Sequence, residues 1–151
     1  MVKRTSLEGA SCPVARSLDA IGDWWSLLIV RDALEGVQRF SDFQRSLGLS
    51  KGILATRLRS LIEAGILEHV PSEDGGAHGR YVLTTKGRGL FHVIVALRQW
   101  GEQFSYEPHE TISVALLDGA TDRPVRPLEL RSDDGRLLSV NDVKVVKRRK
   151  T

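Results

Sequence analysis

The chain has 151 residues, a formal net charge of +3 and a single cysteine. This length fits one ordinary domain with a small appendage and allows a buried hydrophobic core, while one cysteine excludes an internal disulfide framework. The basic start MVKRTSLEGAS leads into no apolar segment, so we predict no secretory signal. The longest apolar run, residues 27–30, is too short to cross a bilayer. We therefore expect a cytoplasmic protein that makes no membrane contact.

The first part of the sequence predicts two helices. Pro13 favours a first helical turn, and residues 14–21 then form a short helix that ends near Gly22. The next stretch, WWSLLIVRDAL at residues 24–34, is apolar on nearly every face and is followed by Gly36. Because a helix that is apolar all round is usually buried, this stretch predicts the central core helix.

Two further helices are predicted around a short turn that contains glycine. Ser41 is followed three residues later by Gln44, which fits a capping box, so a short helix should begin at Ser41 and end at Gly48. Ser50 then caps a second helix over residues 50–64. Two helices in this order are typical of a helix-turn-helix unit.

The helix over residues 50–64 has one apolar side and one polar, basic side. On a wheel of 3.6 residues per turn its leucines share one side, and the residues roughly opposite are Gly52, Thr56, Arg59, Ser60 and Glu63. Lys51 lies near the N-terminus, and Arg57 flanks the exposed side. Residues 37–62 contain five basic residues and one acidic residue, a local excess that exceeds the charge of the whole chain. The residues that we assign to a DNA-facing surface are Ser50, Lys51, Gly52, Thr56, Arg57, Arg59 and Ser60.

Such a helix fits the major groove of duplex DNA. Arginine and lysine donate to guanine, threonine and serine read several bases, and a helix N-terminus favours a phosphate. We predict that Arg59 contacts a base, that Arg57 contacts a phosphate, and that Gly52 lets the backbone approach the duplex. The alternative is a solvated amphipathic helix whose arginines only keep it soluble.

After this helix the pattern changes to a β-hairpin. ILEHV at residues 66–70 and RYVLT at residues 80–84 predict two strands, which the glycine-rich sequence PSEDGGAHG joins. Helix, helix and hairpin in this order are typical of a winged helix-turn-helix. His78 and Arg80 could reach DNA from this wing. A solvated turn is the alternative, because Glu73 and Asp74 lie in the same loop.

The chain then predicts one long helix and a different C-terminal segment. Thr85 should cap a helix from Lys86 to Phe104, whose apolar surface is wider than one core needs and predicts an oligomer contact. Residues 109–151 contain short β-like runs, turn signals and a basic end. The predicted fold class is α+β: a winged helix-turn-helix domain over residues 1–108 with a long C-terminal dimerisation helix, and a small β-rich extension over residues 109–151.

Three stretches of the sequence resemble the HxlR-type winged helix-turn-helix regulators of bacteria, within the MarR-like superfamily. They are CPVARSLDAIGDWWSLLIVRDAL, RFSDFQRSLGLSKGILATRLRSLIEAGILEHV and YVLTTKGRGLFHVIVALRQWGEQF. The resemblance runs from about Cys12 to Phe104 and implies a homodimer that binds an inverted-repeat DNA operator. We expect this binding to repress transcription of the gene beside the operator. One departure is Trp24, where the family more often has a basic residue.

Cys12 has two interpretations. It precedes Pro13 at the start of the first predicted helix, where the positive end of the helix dipole favours reactivity. In the family that the chain resembles, a cysteine at the matching position is common and senses oxidants or electrophiles in some members. The other interpretation is an inert small residue at a dimer contact.

Three other classes of function are alternatives to redox-sensitive DNA binding. A winged helix used for protein contacts would tolerate loss of the positive patch, and salt dependence distinguishes it from DNA binding. A regulator gated by a small molecule, with no redox role for Cys12, would need a pocket, and the aromatic residues that might line one are more often core. An enzyme is not predicted, because no phosphate-binding glycine loop or nucleophile elbow occurs. No cofactor or metal is predicted either, because the four histidines and Cys12 lack ligand spacing.

Overall fold

The structure is a computed structural model that describes residues 5–148. Its helices and strands are α1 (Pro13–Ile21), α2 (Trp24–Leu34), α3 (Phe40–Leu47), α4 (Lys51–Glu63), β1 (Leu67–Val70), β2 (Arg80–Leu83), α5 (Thr85–Arg88) and α6 (Phe91–Phe104), followed by a short 3-10 helix, Val140–Asp142. The chain divides into two compact units between Ile94 and Val95. The predicted domain boundary at residues 108 and 109 stays a prediction.

The first unit is built around α2, as predicted for the central core helix. Helix α2 contacts α1, α3, α4 and β2, and both Ile29 and Val30 are fully buried. Asp23 caps its N-terminus by accepting hydrogen bonds from the backbone N of Ser26 at 2.8 Å and from its hydroxyl at 2.6 Å. This cap satisfies a free backbone donor and the buried serine hydroxyl together. The core side chains are Ile21, Ile29, Val30, Phe43, Leu49, Leu54, Leu58, Leu61, Ile66, Leu67 and Leu83.

The predicted capping box at the start of α3 is wrong. Helix α3 begins one residue earlier, at Phe40, and its N-cap is Arg39, which makes no side-chain capping hydrogen bond. Residues three apart lie on the same side of a helix, so this start lets Phe40 and Phe43 both pack into the core. Burial of two aromatic rings decides the helix start here, and Ser41 lies inside the first turn.

The predicted wing is confirmed as an antiparallel hairpin. Strands β1 and β2 pair with Leu67 opposite Leu83 and Val70 opposite Arg80, each within one residue of its predicted bounds. Gly79 stands where the hairpin loop joins β2, and a Cβ atom there would lie 2.4 Å from the carbonyl oxygen of Val70. Only glycine leaves room for this close backbone approach.

The prediction of one continuous helix from Lys86 to Phe104 is wrong at its N-terminal end, and the prediction that Thr85 caps it is also wrong. Thr84, not Thr85, is the N-cap of the short helix α5: its hydroxyl accepts from the backbone N of Gly87 at 3.0 Å and donates to the carbonyl oxygen of Gly65 at 2.5 Å. Glycines 87 and 89 weaken helical continuity, and α6 begins only at Phe91.

The second unit contains the last part of α6 and the C-terminal segment. Val95 is buried. Within residues 109–148 no residue is buried, and only Leu116, Ser132 and Leu138 are half-buried. The last residues of the basic end, 149–151, lie outside the described residues.

The predicted β-rich extension is mostly extended chain and turns within residues 109–148. Its β-type pairing is limited to two isolated bridges, Leu117 with Pro124 and Arg131 with Leu137. The amide of Gln99 holds part of this segment, because its Nε2 donates to the carbonyl oxygen of Arg126 at 3.2 Å and its Oε1 accepts from the backbone N of Leu128 at 2.8 Å. Residues with high β-propensity form a ladder only where a second strand lies alongside them.

Among the residues that the structure describes, no helix combines the length and apolar character needed to span a membrane.

Candidate nucleic-acid interface

The turn between α3 and α4 sets the direction of the second helix. Gly48 ends α3 with a φ of +64°, a left-handed conformation that glycine adopts without strain. Leu49 is buried beside it. The Ser50 hydroxyl then accepts from the backbone N of Ile53 at 3.3 Å and caps α4, as predicted. Helix α4 is thus fixed at its first turn by a buried side chain and a cap.

The two sides of α4 differ in burial as the sequence predicts. Leu54, Leu58 and Leu61 are buried in the core. The opposite side is open to solvent and carries four of the residues assigned to DNA contact, Gly52, Thr56, Arg59 and Ser60, while Lys51 is exposed at the N-terminus of the helix. The structure therefore brings these four residues onto one accessible surface of a helix-turn-helix.

The two hydroxyls on this surface already use their protons inside the helix. Thr56 donates its Oγ1 proton to the carbonyl oxygen of Gly52 at 2.9 Å, and Ser60 donates to that of Thr56 at 3.0 Å. Their remaining lone pairs are acceptors. In a major groove these oxygens would suit the amino groups of adenine and cytosine, whereas the guanidinium of Arg59 suits the acceptors of guanine.

Packing within the chain does not explain the glycine at residue 52, on the exposed surface of α4. A Cβ atom at this position would meet nothing within 4 Å, and the φ of Gly52 is not among the positive values of the chain. The fold of this chain therefore does not require glycine at residue 52, which leaves close approach to a partner as a reason for it.

Gly52→Ala should stabilise the free protein and weaken DNA binding. We expect the free energy of unfolding to rise by about 0.5–1 kcal/mol, because alanine has the higher helix propensity. Affinity for duplex DNA should fall, because the added methyl group separates the helix backbone from the duplex. Urea denaturation and fluorescence anisotropy measure the two effects. Unchanged DNA affinity in the stabilised variant would exclude a backbone approach at Gly52.

Arg57 differs from the other cations of α4. Its Nε lies 3.6 Å from Oδ1 of Asp23, the cap of α2, and its side chain is 36% exposed. Arg59, by contrast, is exposed and forms no ion pair within the described part of the chain. Arg57 therefore links α4 to the start of α2, and its predicted phosphate contact would use only the part of its guanidinium that faces solvent.

The wing residues lie beside the start of the helix-turn-helix. Nη2 of Arg80 is 2.5 Å from Oε1 of Glu73, and its Nη1 donates to Oε1 of Gln38 at 3.3 Å. His78 is exposed. Lys51 and His78 line one groove of about 580 Å³ between α3 and the wing. The structure thus brings Lys51 and His78 into one groove and His78 and Arg80 into the neighbouring cavity, whereas Arg57 and Arg59 line neither.

Arg39 and Gln38 belong to this region and were not among the predicted site residues. Gln38 accepts from the backbone N of Tyr81 at 2.7 Å, and Nη2 of Arg39 lies 3.9 Å from Oδ2 of Asp74. A hydrogen bond from Ser72 is the main cause that lowers the pKa of Asp74 below its usual value. Arg39 adds to the local positive charge in the sequence, but no local pattern indicates its proximity to the wing.

Cys12 is the N-cap residue of α1, and its side chain makes no capping hydrogen bond. The thiol is exposed.

In the described part of the chain, Trp24, Trp25 and Phe91 do not form a shared pocket. Trp24 is 74% exposed and contacts Trp25 edge to face with ring centroids 6.2 Å apart. Phe91 lines a separate surface groove that includes neither tryptophan. Within the described residues, no group of three or more His, Cys, Asp or Glu side chains is placed to hold a metal ion.

Comparison with known proteins assigns the helix-turn-helix to a family. The family model for the HxlR-like helix-turn-helix matches residues 20–109. The chain belongs to the HxlR-like helix-turn-helix family. The resemblance found in the sequence is thereby confirmed. Cys12 lies before the residues that the HxlR-like family model matches.

Three relatives of this HxlR-like protein are informative. The first is an uncharacterised HTH-type transcriptional regulator of Mycobacterium tuberculosis, Rv3095, which is 43% identical over 101 residues, or 67% of this chain. The chain spans only 63% of the length of that relative. The second is the crystal structure of PA1607, assigned as a transcription factor, with 52% identity, a TM-score of 0.91 and coverage of 95% of this chain and 100% of PA1607. The third is the redox regulator HypR in its reduced form, with 29% identity, a TM-score of 0.56 and coverage of 61% of this chain and 92% of HypR.

Proposed function

We propose that the protein is a DNA-binding transcriptional regulator that represses by binding an inverted-repeat operator as a homodimer. The observation that carries this proposal is the exposed surface of α4, which carries Gly52, Arg59 and two hydroxyl groups, with Lys51 exposed at the N-terminus of the helix. Family membership supports it, because the relatives are named HTH-type transcriptional regulators. In the proposed complex α4 enters the major groove, and His78 and Arg80 approach the duplex from the wing.

Helix α6 supports the homodimer. Leu97, Trp100 and Phe104 are large apolar side chains that are about half exposed or more, and the rings of Trp100 and Phe104 lie 5.7 Å apart. These residues follow a helical spacing of three and four and thus form one stripe. An exposed apolar stripe of this kind is typical of a protein contact, and a second copy of α6 would cover it.

Selection of genomic fragments by the purified protein, followed by sequencing, tests the proposal. We expect fragments that share an inverted repeat with half-sites about one helical turn apart, and a complex whose mass corresponds to two chains on each repeat. Affinity should fall steeply as salt concentration rises, because bound cations are released from the DNA. A protein that stays monomeric and leaves the fragments unselected at low salt would contradict the proposal. A winged helix used only for protein contacts would show no such salt dependence.

We further propose that Cys12 makes this regulator sensitive to oxidants or electrophiles. The thiol is exposed at the start of α1, and one structural neighbour, HypR, is named a redox regulator. Because each chain has one cysteine, a disulfide can form only between two chains or with a small thiol. Alkylation and oxidation to sulfenic acid are the other routes. Any of these changes the contacts of α1 and would thereby alter the spacing of two DNA-binding surfaces.

Cys12→Ser should remove the response to diamide. We expect diamide to lower operator binding by the unmodified protein and to leave the serine variant unaffected, because serine keeps the size of the side chain and lacks the reactive sulfur. Gel-shift titration with and without diamide measures this difference. Equal responses of the two proteins would exclude Cys12 from the mechanism and would favour the alternative, a regulator gated by a small molecule.

A further inference from the structure

Two ion pairs hold the wing loop, one to the first residue of β2 and one to the residue just before α3. Glu73 pairs with Arg80 at 2.5 Å, and Asp74 pairs with Arg39 at 3.9 Å. Together with Ser72 and Gln38, these four side chains line a cavity of about 320 Å³ between the wing loop and the start of α3. We call Glu73, Asp74, Arg39 and Arg80 the wing clasp. Both acids lie in the loop, Arg80 lies where the loop joins β2, and Arg39 lies just before α3.

Arg80 is held more firmly than its partner Glu73, whereas Arg39 and Asp74 are equally exposed. Arg80 is bound by Gln38, and its side chain is 30% exposed, whereas that of Glu73 is 79% exposed. Asp74 is 69% exposed, and apart from Arg39 it is held by Ser72 in its own loop. Asp42 also lines the cavity, and its carboxylate is paired with Arg45 at 3.3 Å. Glu73 is thus far more exposed than Arg80, and both loop acids can move away with the loop.

Carboxylates and phosphates bind guanidinium groups through the same geometry, two oxygen atoms that face the N–H fork. An acidic loop beside a DNA-binding helix would repel the duplex unless its charge were neutralised or displaced. The ion pairs of the wing clasp neutralise it in the free protein. They also occupy two cations: Arg39 lines the adjoining groove together with Lys51 and His78, and Arg80 lines the cavity of the wing clasp together with His78.

We propose that Arg39 and Arg80 form a binding site for the phosphate backbone of DNA, and that Asp74 and Glu73 occupy this site in the free protein. Binding of the duplex exchanges the two carboxylates for phosphates, and the loop moves aside. The inference rests on the proposed DNA binding, and it adds Arg39 to the interface. Its consequence is that the acids lower the affinity for any duplex, so that a DNA molecule must first break the ion pairs.

A double-mutant cycle on Asp74 and Arg39 tests the wing clasp. The probe is a short duplex of random sequence, because phosphate contacts do not depend on sequence. Asp74→Asn, and separately Glu73→Gln, should each raise affinity about two- to fivefold, the range that corresponds to one surface ion pair. Arg39→Gln should lower affinity. In the Arg39→Gln background, Asp74→Asn should no longer raise affinity, because the cation that it releases is gone.

The control is Asp134→Asn. Asp134 accepts from the Ser132 hydroxyl two residues earlier, as Asp74 does from Ser72, and the pKa of Asp134 is likewise lowered mainly by that hydrogen bond. The control therefore removes the same charge from the same kind of turn. It releases no cation, because Asp134 forms no ion pair within the described residues. Circular dichroism shows whether each variant folds.

Three results would overturn the wing clasp. They are equal gains from Asp74→Asn and the control, a gain that persists in the Arg39→Gln background, or no gain from either acid variant. If neither the unmodified protein nor any variant binds the duplex at low salt, the proposed function fails together with the clasp. If the unmodified protein binds and the cycle shows no coupling, only the clasp fails.

Discussion

Arg59→Ala should lower affinity for the specific operator by about 1–3 kcal/mol, or about five- to 150-fold, and relax discrimination at one base pair. Arg59 is the exposed arginine of α4 that forms no ion pair within the described residues, so its guanidinium is available to the two acceptors of guanine. Loss of such a contact removes sequence information as well as attraction. Binding to the selected operator and to operators changed at single base pairs measures both effects.

Two other variants separate base contact from general attraction. Lys51→Ala removes a cation at the start of α4 and should lower affinity for all sequences more evenly, with a smaller salt dependence. Arg123→Ala removes one exposed arginine of the C-terminal segment and should change discrimination little. If Arg59→Ala keeps the footprint and affinity of the unmodified protein, the assignment of this surface of α4 to the major groove is wrong.

Phe43→Ala should be the most damaging substitution for stability, with a loss of about 3–5 kcal/mol in the free energy of unfolding. Phe43 is fully buried, and its ring meets that of Tyr81 edge to face at a centroid distance of 6.4 Å. The substitution leaves a cavity where α3 meets the wing. A domain of this size is stable by only about 5–15 kcal/mol, so the variant should be partly unfolded at physiological temperature. Urea denaturation of the DNA-free protein gives the magnitude.

Phe91→Ala is the matched control for this loss. Phe91 is 46% exposed, so the same change of residue type should cost about 1 kcal/mol or less. Equal losses at the two positions would contradict the packing of α3 described above. A small loss at Phe43 would show that the wing and the helix-turn-helix do not share one core.

Local sequence patterns predict the helix-turn-helix because the forces that shape it are local. Leucines spaced three and four residues apart direct one side of α4 into the core, and Ser50 satisfies a backbone donor within its own first turn. Gly48 takes up the left-handed conformation that separates the two helices. Each of these features depends on residues within about one helical turn of each other. For the same reason the exposed surface of α4 follows directly from its apolar side.

The contacts that complete the site depend on residues far apart in the chain. Arg39 reaches Asp74, and Gln38 binds both Arg80 and the backbone of Tyr81. No spacing rule connects residues so far apart, because only the packed core brings them together. Packing also overrides local capping signals, as at Ser41, where the burial of Phe40 moves the start of α3.

The C-terminal segment shows a different limit of sequence patterns. Its short runs of valine and leucine favour strands, yet strand formation requires a partner strand alongside. In residues 109–148 the chain supplies only two isolated bridges. Alternation and turn signals identify segments that can pair, and they do not reveal whether this chain provides the partner.

The ion pair between Asp23 and Arg57 has a mechanical consequence. Asp23 follows the end of α1, closes the first turn of α2 and reaches a side chain of α4. A change in the angle between the first two helices therefore acts on α4 through a single carboxylate. Under the proposed redox response, a modification of Cys12 would reach α4 through α1 and this one ion pair.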